Sequence, residues 1–288
     1  MKKTAIIILL LSLYYKGYCQ YGAASFYVVA HPDQWQLFMG NNAYNDITKS
    51  EKGKENKVVF IYTTAGQESC NGTPLNTSVD IARQDGAHNC VEFCADRSGS
   101  HGQWSLIPVT VQGHSILKYT YKNVVSYWLR LPDGCSGQGL YGQSLQFLHD
   151  GTLSSIKTVD SSTTYKGWDD LAGTIRQIIV NESADVNEIV LNTADTDASI
   201  NSGDDPDHIY TGMLCINAVD SIPNTTLNLF MESVIATLPA NLDYRAIANK
   251  AALLSQLDYV RTENGLPSEW TPHNISYLNR NYFRTVTK

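Results

Sequence analysis

At 288 residues with 43% hydrophobic content, the chain can bury a large core as one domain or two. A net charge of −7, a pI near 5.4 and the lack of any basic stretch interleaved with aromatics argue against nucleic acid as a partner. Seventeen tyrosines and five tryptophans suit a carbohydrate site and a packed core equally well. Met1-Lys2-Lys3, the apolar run Ala5 to Leu13 and the small residues Gly17 and Cys19 read as a signal peptide over residues 1–19. That leaves a single exported domain over 20–288. The apolar run is too short to span a bilayer, and Lys16 and Tyr18 make Cys19 a poor lipidation site. Cys70, Cys90, Cys94, Cys135 and Cys215 remain after cleavage, an odd number that leaves at least one thiol unpaired. Cys215, among Met213, Leu214 and Ile216, is expected to be a buried free thiol, and which of the others pair is left open. No Cys-x-x-Cys is present, so a thiolate metal site is not indicated.

Ser25 to Val29 is a β-branched and aromatic run without charge, expected as a buried strand that Pro32 ends. Leu37 to Tyr44 is expected as helix and Lys49 to Lys57 as a charged loop. Lys57 to Tyr62 reads as a second strand, and Ser69 to Thr77, rich in Asn, Gly, Thr and Pro, as loop. Val79 to Asn89 is expected as a helix carrying Arg83, with Val91-Glu92-Phe93 beginning another strand. Strands follow around 107–111, 116–121 and 124–130, then a glycine-rich loop, Ser136 to Gly142, that is a candidate lid. In Gly167 to Val180, the residues Leu171, Ile175, Ile178 and Ile179 fall on one helical face. Glu188 to Thr193 is a strand, His208 to Val219 a helix, Thr226 to Met231 a strand and Tyr244 to Val260 a long helix. Strands alternating with helices predict an α/β fold, a Rossmann-like layered, mostly parallel sheet flanked by helices.

Two polar turns stand out. Ala30-His31-Pro32-Asp33-Gln34 follows the first strand, and Asp204-Asp205-Pro206-Asp207-His208 opens a helix far downstream. Each alone is an ordinary polar loop; together they resemble the PIG-L/LmbE-like zinc N-deacetylases, which carry Ala-His-Pro-Asp-Asp and Asp-His-x-Asp-His at these places. Thr63-Thr64-Ala65-Gly66, Ala82-Arg83-Gln84-Asp85-Gly86-Ala87 and Leu129 to Gly134 resemble further stretches of that family, as does the Ser144 to Tyr165 region. The similarity extends over about Ser25 to Asp220.

The resemblance implies an exported metal-dependent hydrolase that removes N-acetyl groups from an amino sugar or glycoconjugate. It implies zinc held by His31, Gln34 and His208, with Asp33 as general base. At Gln34 the family has a carboxylate, and a neutral amide there weakens zinc binding. At Asp205 the family has a histidine, suited to an oxyanion or a leaving amine, which an ionised aspartate would oppose. Asp205 is also a natural helix N-cap before Pro206, or a carboxylate available to complete a metal shell. Asp207 matches an acid that would orient a neighbouring ring, and equally suits a first helical turn. Arg83 matches a substrate-binding arginine; its plain alternative is a solvated charge or a local ion pair. His88, His101, His114, His149 and His273 match no motif and are expected as surface or hydrogen-bonded structure. The two departures also raise a competing expectation, a degenerate member that binds a glycan without hydrolysing it.

Overall fold

The computed structural model describes residues 21–51, 54–67 and 78–287. The expected signal peptide, the Ser69 to Thr77 loop and Cys70 lie outside these residues.

Strand β1 (Tyr21–Val29) buries both faces, Phe26 and Val28 into one core and Tyr27 and Val29 into the other. A strand covered on both sides reads as continuous apolar sequence rather than alternation. Two short helices follow, α1 (Gln34–Phe38) and α2 (Gly40–Thr48), and then β2 (Ser50–Glu51), β3 (Lys54–Thr64) and α3 (Ser78–Ala95). Next come β4 (Ser105–Val111), β5 (His114–Tyr121), β6 (Val124–Leu131) and α4 (Leu145–His149). A separate antiparallel ribbon, β7 (Ile156–Lys157) and β8 (Thr164–Tyr165), precedes α5 (Trp168–Glu182). The chain then forms β9 (Ile189–Ala194), α6 (Pro206–Val219), β10 (Thr225–Phe230), α7 (Tyr244–Glu263), α8 (Pro272–Ile275) and β11 (Phe283–Thr287).

The main sheet runs β11-β10-β9-β1-β3-β6-β5-β4, with β2 paired to β3. Strands β10, β9, β1, β3 and β6 are parallel, and β5, β4 and β11 extend them antiparallel. Phe26 pairs with Val59 on one side and Leu191 on the other. One core lies under α5 and α6, with Leu171, Ile175, Ile178 and Leu214. The other lies under α1, α2, α3 and α7, with Trp35, Ala43, Ala87, Leu254 and Leu257. Gly86 permits α3 to lie directly on α7, since a Cβ there would fall 2.6 Å from Leu257 Cδ1.

Two expectations are corrected. Val91-Glu92-Phe93 is the end of α3, because Cys90, Val91 and Cys94 are buried on its inner side and that burial overrides local strand preference. The stretch expected as a loop up to Lys57 instead contains β2 and the start of β3. Strand β11 had no signal in its mostly exposed sequence; Arg284 fastens it to the buried Asp195 with N–O distances of 2.6 and 2.9 Å. Cys90, Cys94 and Cys215 are buried and outside any disulfide, and Cys135 is disulfide-bonded.

The order of the sheet places the site. Strand β1 has β3 on one side and β9 on the other, so the direction of winding reverses between β1 and β9. At such a reversal the turns leaving the carboxyl ends of the parallel strands separate and open a crevice.

Candidate metal centre

Four turns converge on that crevice. The turn after β1 brings His31, Asp33 and Gln34, and the turn after β6 brings Asp133 and Gly134. The segment joining β9 to α6 brings Asp204, Asp205, Asp207 and His208, and the end of β10 brings Glu232.

The two imidazoles meet: His208 Nε2 lies 3.3 Å from His31 Nδ1. Their outward nitrogens are held by carboxylates. His31 Nε2 is 3.3 Å from Asp207 Oδ2 and 3.5 Å from Asp133 Oδ2. His208 Nδ1 is 2.7 Å from Glu232 Oε2 and 3.1 Å from Asp204 Oδ1. Carboxylates behind paired imidazoles fix ring orientation and raise the basicity of the inward nitrogens.

Each carboxylate is itself placed by the backbone. Asp207 Oδ2 accepts from Gly134 N at 2.7 Å, and a side chain at position 134 would overlap that same carboxylate. Asp133 Oδ1 accepts from Cys135 N at 2.8 Å. The glycine-rich loop folds back on this turn, Gly139 N donating to Gly134 O and Leu140 N to Asp133 O. Asp205 caps α6, accepting from Asp207 N at 2.8 Å ahead of Pro206 at the first helical position.

Asp33 is paired with Arg83, whose Nε lies 3.0 Å from Asp33 Oδ2 while Nη1 donates to Gly66 O at 2.5 Å. Arg83 is therefore neither solvated nor outward-facing. Gln34 is placed differently from an open metal donor. Its amide oxygen accepts from Ala30 N at 2.6 Å and from His31 N at 3.4 Å, and its Nε2 donates to Glu232 Oε1 and Oε2 at 2.8 and 2.9 Å.

The electrostatics follow from this crowding. Burial alone would lower His208, but the charge of Glu232 and the hydrogen bond to Asp204 carry it well above the ordinary histidine value. Burial works the same way on His31, and its hydrogen bond to Asp207 and the charge of Asp133 outweigh it. Burial pushes Glu232 up to about 7 and also raises Asp133. On Asp33 burial is overcome by the Arg83 guanidinium and by His31, which hold the carboxyl below its usual range. The crevice thus carries an excess of carboxylates over cationic side chains.

A zinc ion gripped by two imidazoles at about 2.0–2.1 Å in a tetrahedral arrangement holds their nitrogens about 3.3 Å apart. The separation of His31 and His208 matches that edge. Ligand atoms of His31, Asp205 and Asp207 lie within 4.8 Å of one another, as do those of Asp204, His208 and Glu232. Imidazoles with surplus carboxylate are a donor set for a divalent cation such as zinc. The two rings fit such an ion; Gln34 does not fit as its third ligand, because its oxygen is engaged with backbone N–H groups.

Sequence reasoning brought His31, Asp33, Gln34, Arg83, Asp205, Asp207 and His208 to this region, and the structure gathers them there. It missed Asp133, Asp204 and Glu232. Asp204 was visible in the second motif, and Asp133 lay in the noted Leu129 to Gly134 stretch. Glu232 followed a strand with no motif of its own.

A scan against protein-family models finds no match, and neither does a search of curated proteins. Among solved structures the chain is similar to an N,N'-diacetylchitobiose deacetylase from Pyrococcus horikoshii, solved with an inhibitor. The likeness has 13% identity and a TM-score of 0.45, covering 88% of this chain and 75% of that one. It is too distant to carry residues over, and the chemistry of the site rests on the geometry given above.

Proposed function

We propose that the chain is an exported, metal-dependent hydrolase that removes N-acetyl groups from an amino sugar or glycoconjugate, a member of the PIG-L/LmbE-like deacetylases. The observation that carries this reading is the 3.3 Å approach of His31 Nδ1 and His208 Nε2, each ring backed by carboxylates. His31 and His208 would hold zinc, and Asp205 has a carboxylate oxygen within 4.8 Å of a His31 ring nitrogen. The ion supplies Lewis acidity toward an amide carbonyl.

The chain's own residues do the rest. Asp33, kept ionised by Arg83, is the acceptor for a proton from attacking water. Asp207 and Asp133 keep the His31 ring aimed inward. Arg83 is occupied by Asp33 and Gly66, so its part is to hold the base; a direct contact to substrate oxygens would use whichever guanidinium face remains.

The test is metal analysis together with acetate release from a panel of N-acetylated sugars. The expected result is close to one equivalent of zinc per chain, with acetate release that a chelator abolishes and zinc restores. Less than about a tenth of an equivalent after incubation with zinc would overturn the reading.

One observation favours a second reading. Gln34 is committed to the backbone and to Glu232, so the acidic ligand that the family places there is missing. A degenerate, glycan-binding member would bind N-acetylated saccharides without releasing acetate, and the same panel separates the two.

A further inference from the structure

Gln34 and Glu232 form a buried pair that the proposed chemistry does not require. The orientation of the Gln34 amide is fixed, since turning it over would set its NH2 against the Ala30 N–H, a donor against a donor. Its Nε2 is therefore directed at Glu232 and meets both carboxylate oxygens, at 2.8 and 2.9 Å. Glu232 is fully buried, and its own backbone N–H is tied to Asn201 Oδ1 at 2.8 Å. The remaining approach to that carboxylate is taken by His208 Nδ1 at 2.7 Å.

The pair has a clear logic. A carboxylate removed from water needs donors on its oxygens, and here an amide and an imidazole supply them. An acid at position 34 would supply none and would face Glu232 with like charge. Gln34 is thus more than a lost acid: it is the donor that makes a carboxylate at position 232 tolerable.

We propose that Glu232, seated by Gln34, is a positioning residue for the metal centre: it anchors His208 through Nδ1 and so directs the Nε2 lone pair toward His31 to receive a divalent cation. This rests on the metal-site reading above. Carboxylates behind ligating imidazoles typically govern metal affinity by about 10–100-fold. The charge missing from position 34 has moved to the far side of the second ring, where it supports a ligand instead of being one.

Zinc affinity is measured by chelator competition on the parent chain and on Glu232→Gln, alongside the thermal midpoint of the chelator-treated proteins. The expected result is zinc affinity about 10–100-fold weaker in Glu232→Gln. A purely structural role would shift the metal-free midpoint and leave zinc affinity as in the parent, and that outcome overturns the inference. Should Glu232→Gln not fold, Glu232→Asp keeps the charge but is one methylene too short to reach both Gln34 and His208. It is expected to weaken zinc binding about tenfold, and parental affinity overturns the inference. A parent that binds no zinc overturns both this inference and the metal-site reading; a parent that binds zinc with an unaffected Glu232 variant overturns this inference alone. Gln34→Asp by itself sets two carboxylates face to face and is expected to lower the metal-free midpoint rather than improve the site.

Discussion

The protein buries histidine in two contrasting ways. At the crevice, His31 and His208 each have two carboxylates behind the ring and sit above their ordinary pKa. On α3, His88 lies among Trp104, Tyr119 and Trp128 at ring-centre distances of 4.3, 4.7 and 5.5 Å. Its Nε2 is buried without a hydrogen-bond partner, and burial brings its pKa down to about 4. The same side chain is oriented by carboxylates in one place and packed among aromatic rings in the other. What surrounds the ring, and not its identity, decides whether it belongs to a site.

The strongest way to break this contrast is to remove a ring at the crevice. His208→Ala is expected to lose zinc affinity by on the order of 100-fold or more, since even outer partners of such ligands govern tenfold or greater effects. His88→Ala should leave zinc affinity unchanged; chelator competition on both variants checks the pair. Next is Gly134→Ala, whose methyl group would overlap Asp207 and push it from His31. Overpacking of this kind costs about 1–3 kcal/mol, read by denaturant unfolding.

The aromatic side of the comparison is sharpened by pH. His88 has a folded pKa of about 4 against 6.5 for the free side chain, so the unfolded chain takes up a proton first as pH falls. Its contribution to stability is complete above pH 6.5 and is lost as pH drops toward 4. His88→Phe should flatten the stability profile across that window by about 3 kcal/mol or less, measured by urea unfolding at a series of pH values. The smallest effect is expected at Asp205→Ala, where loss of the α6 N-cap costs about 1 kcal/mol of stability. A drop in zinc affinity beyond that would mark Asp205 as a metal donor too.

Much of this was legible because local signals and global burial agreed. Ser25 to Val29 is apolar at every step because both faces of β1 are covered, and the spacing in α5 falls on the face that meets the sheet. The cap at Asp205-Pro206 is a short-range device and was read as such. Val91 to Phe93 misled because β-branched and aromatic residues can also be the inner side of a helix. Glu232 was invisible for a different reason. Its meaning depends on Gln34, 198 residues away, and neither residue announces the other. Four of the five histidines outside the motifs are surface or hydrogen-bonded structure as expected: His114 bridges Thr163 and Asp170, His273 meets Tyr277, and His101 and His149 pair with Asp96 and Asp150. His88 departs from that expectation, since it is packed among aromatic rings with its Nε2 unpartnered.

The sheet order has a consequence for how this protein is made. His31 and His208 are 177 residues apart in the chain, and β9 pairs directly with β1 although β2 to β8 lie between them in sequence. Closing so long a loop is slow relative to forming neighbouring hairpins. A nascent chain emerging amino end first therefore exposes the early half of its chemistry, with nothing to bind, until its last third arrives. Binding competence comes late in the life of each molecule, so a zinc-dependent gain in protection during refolding would report completion of the sheet itself.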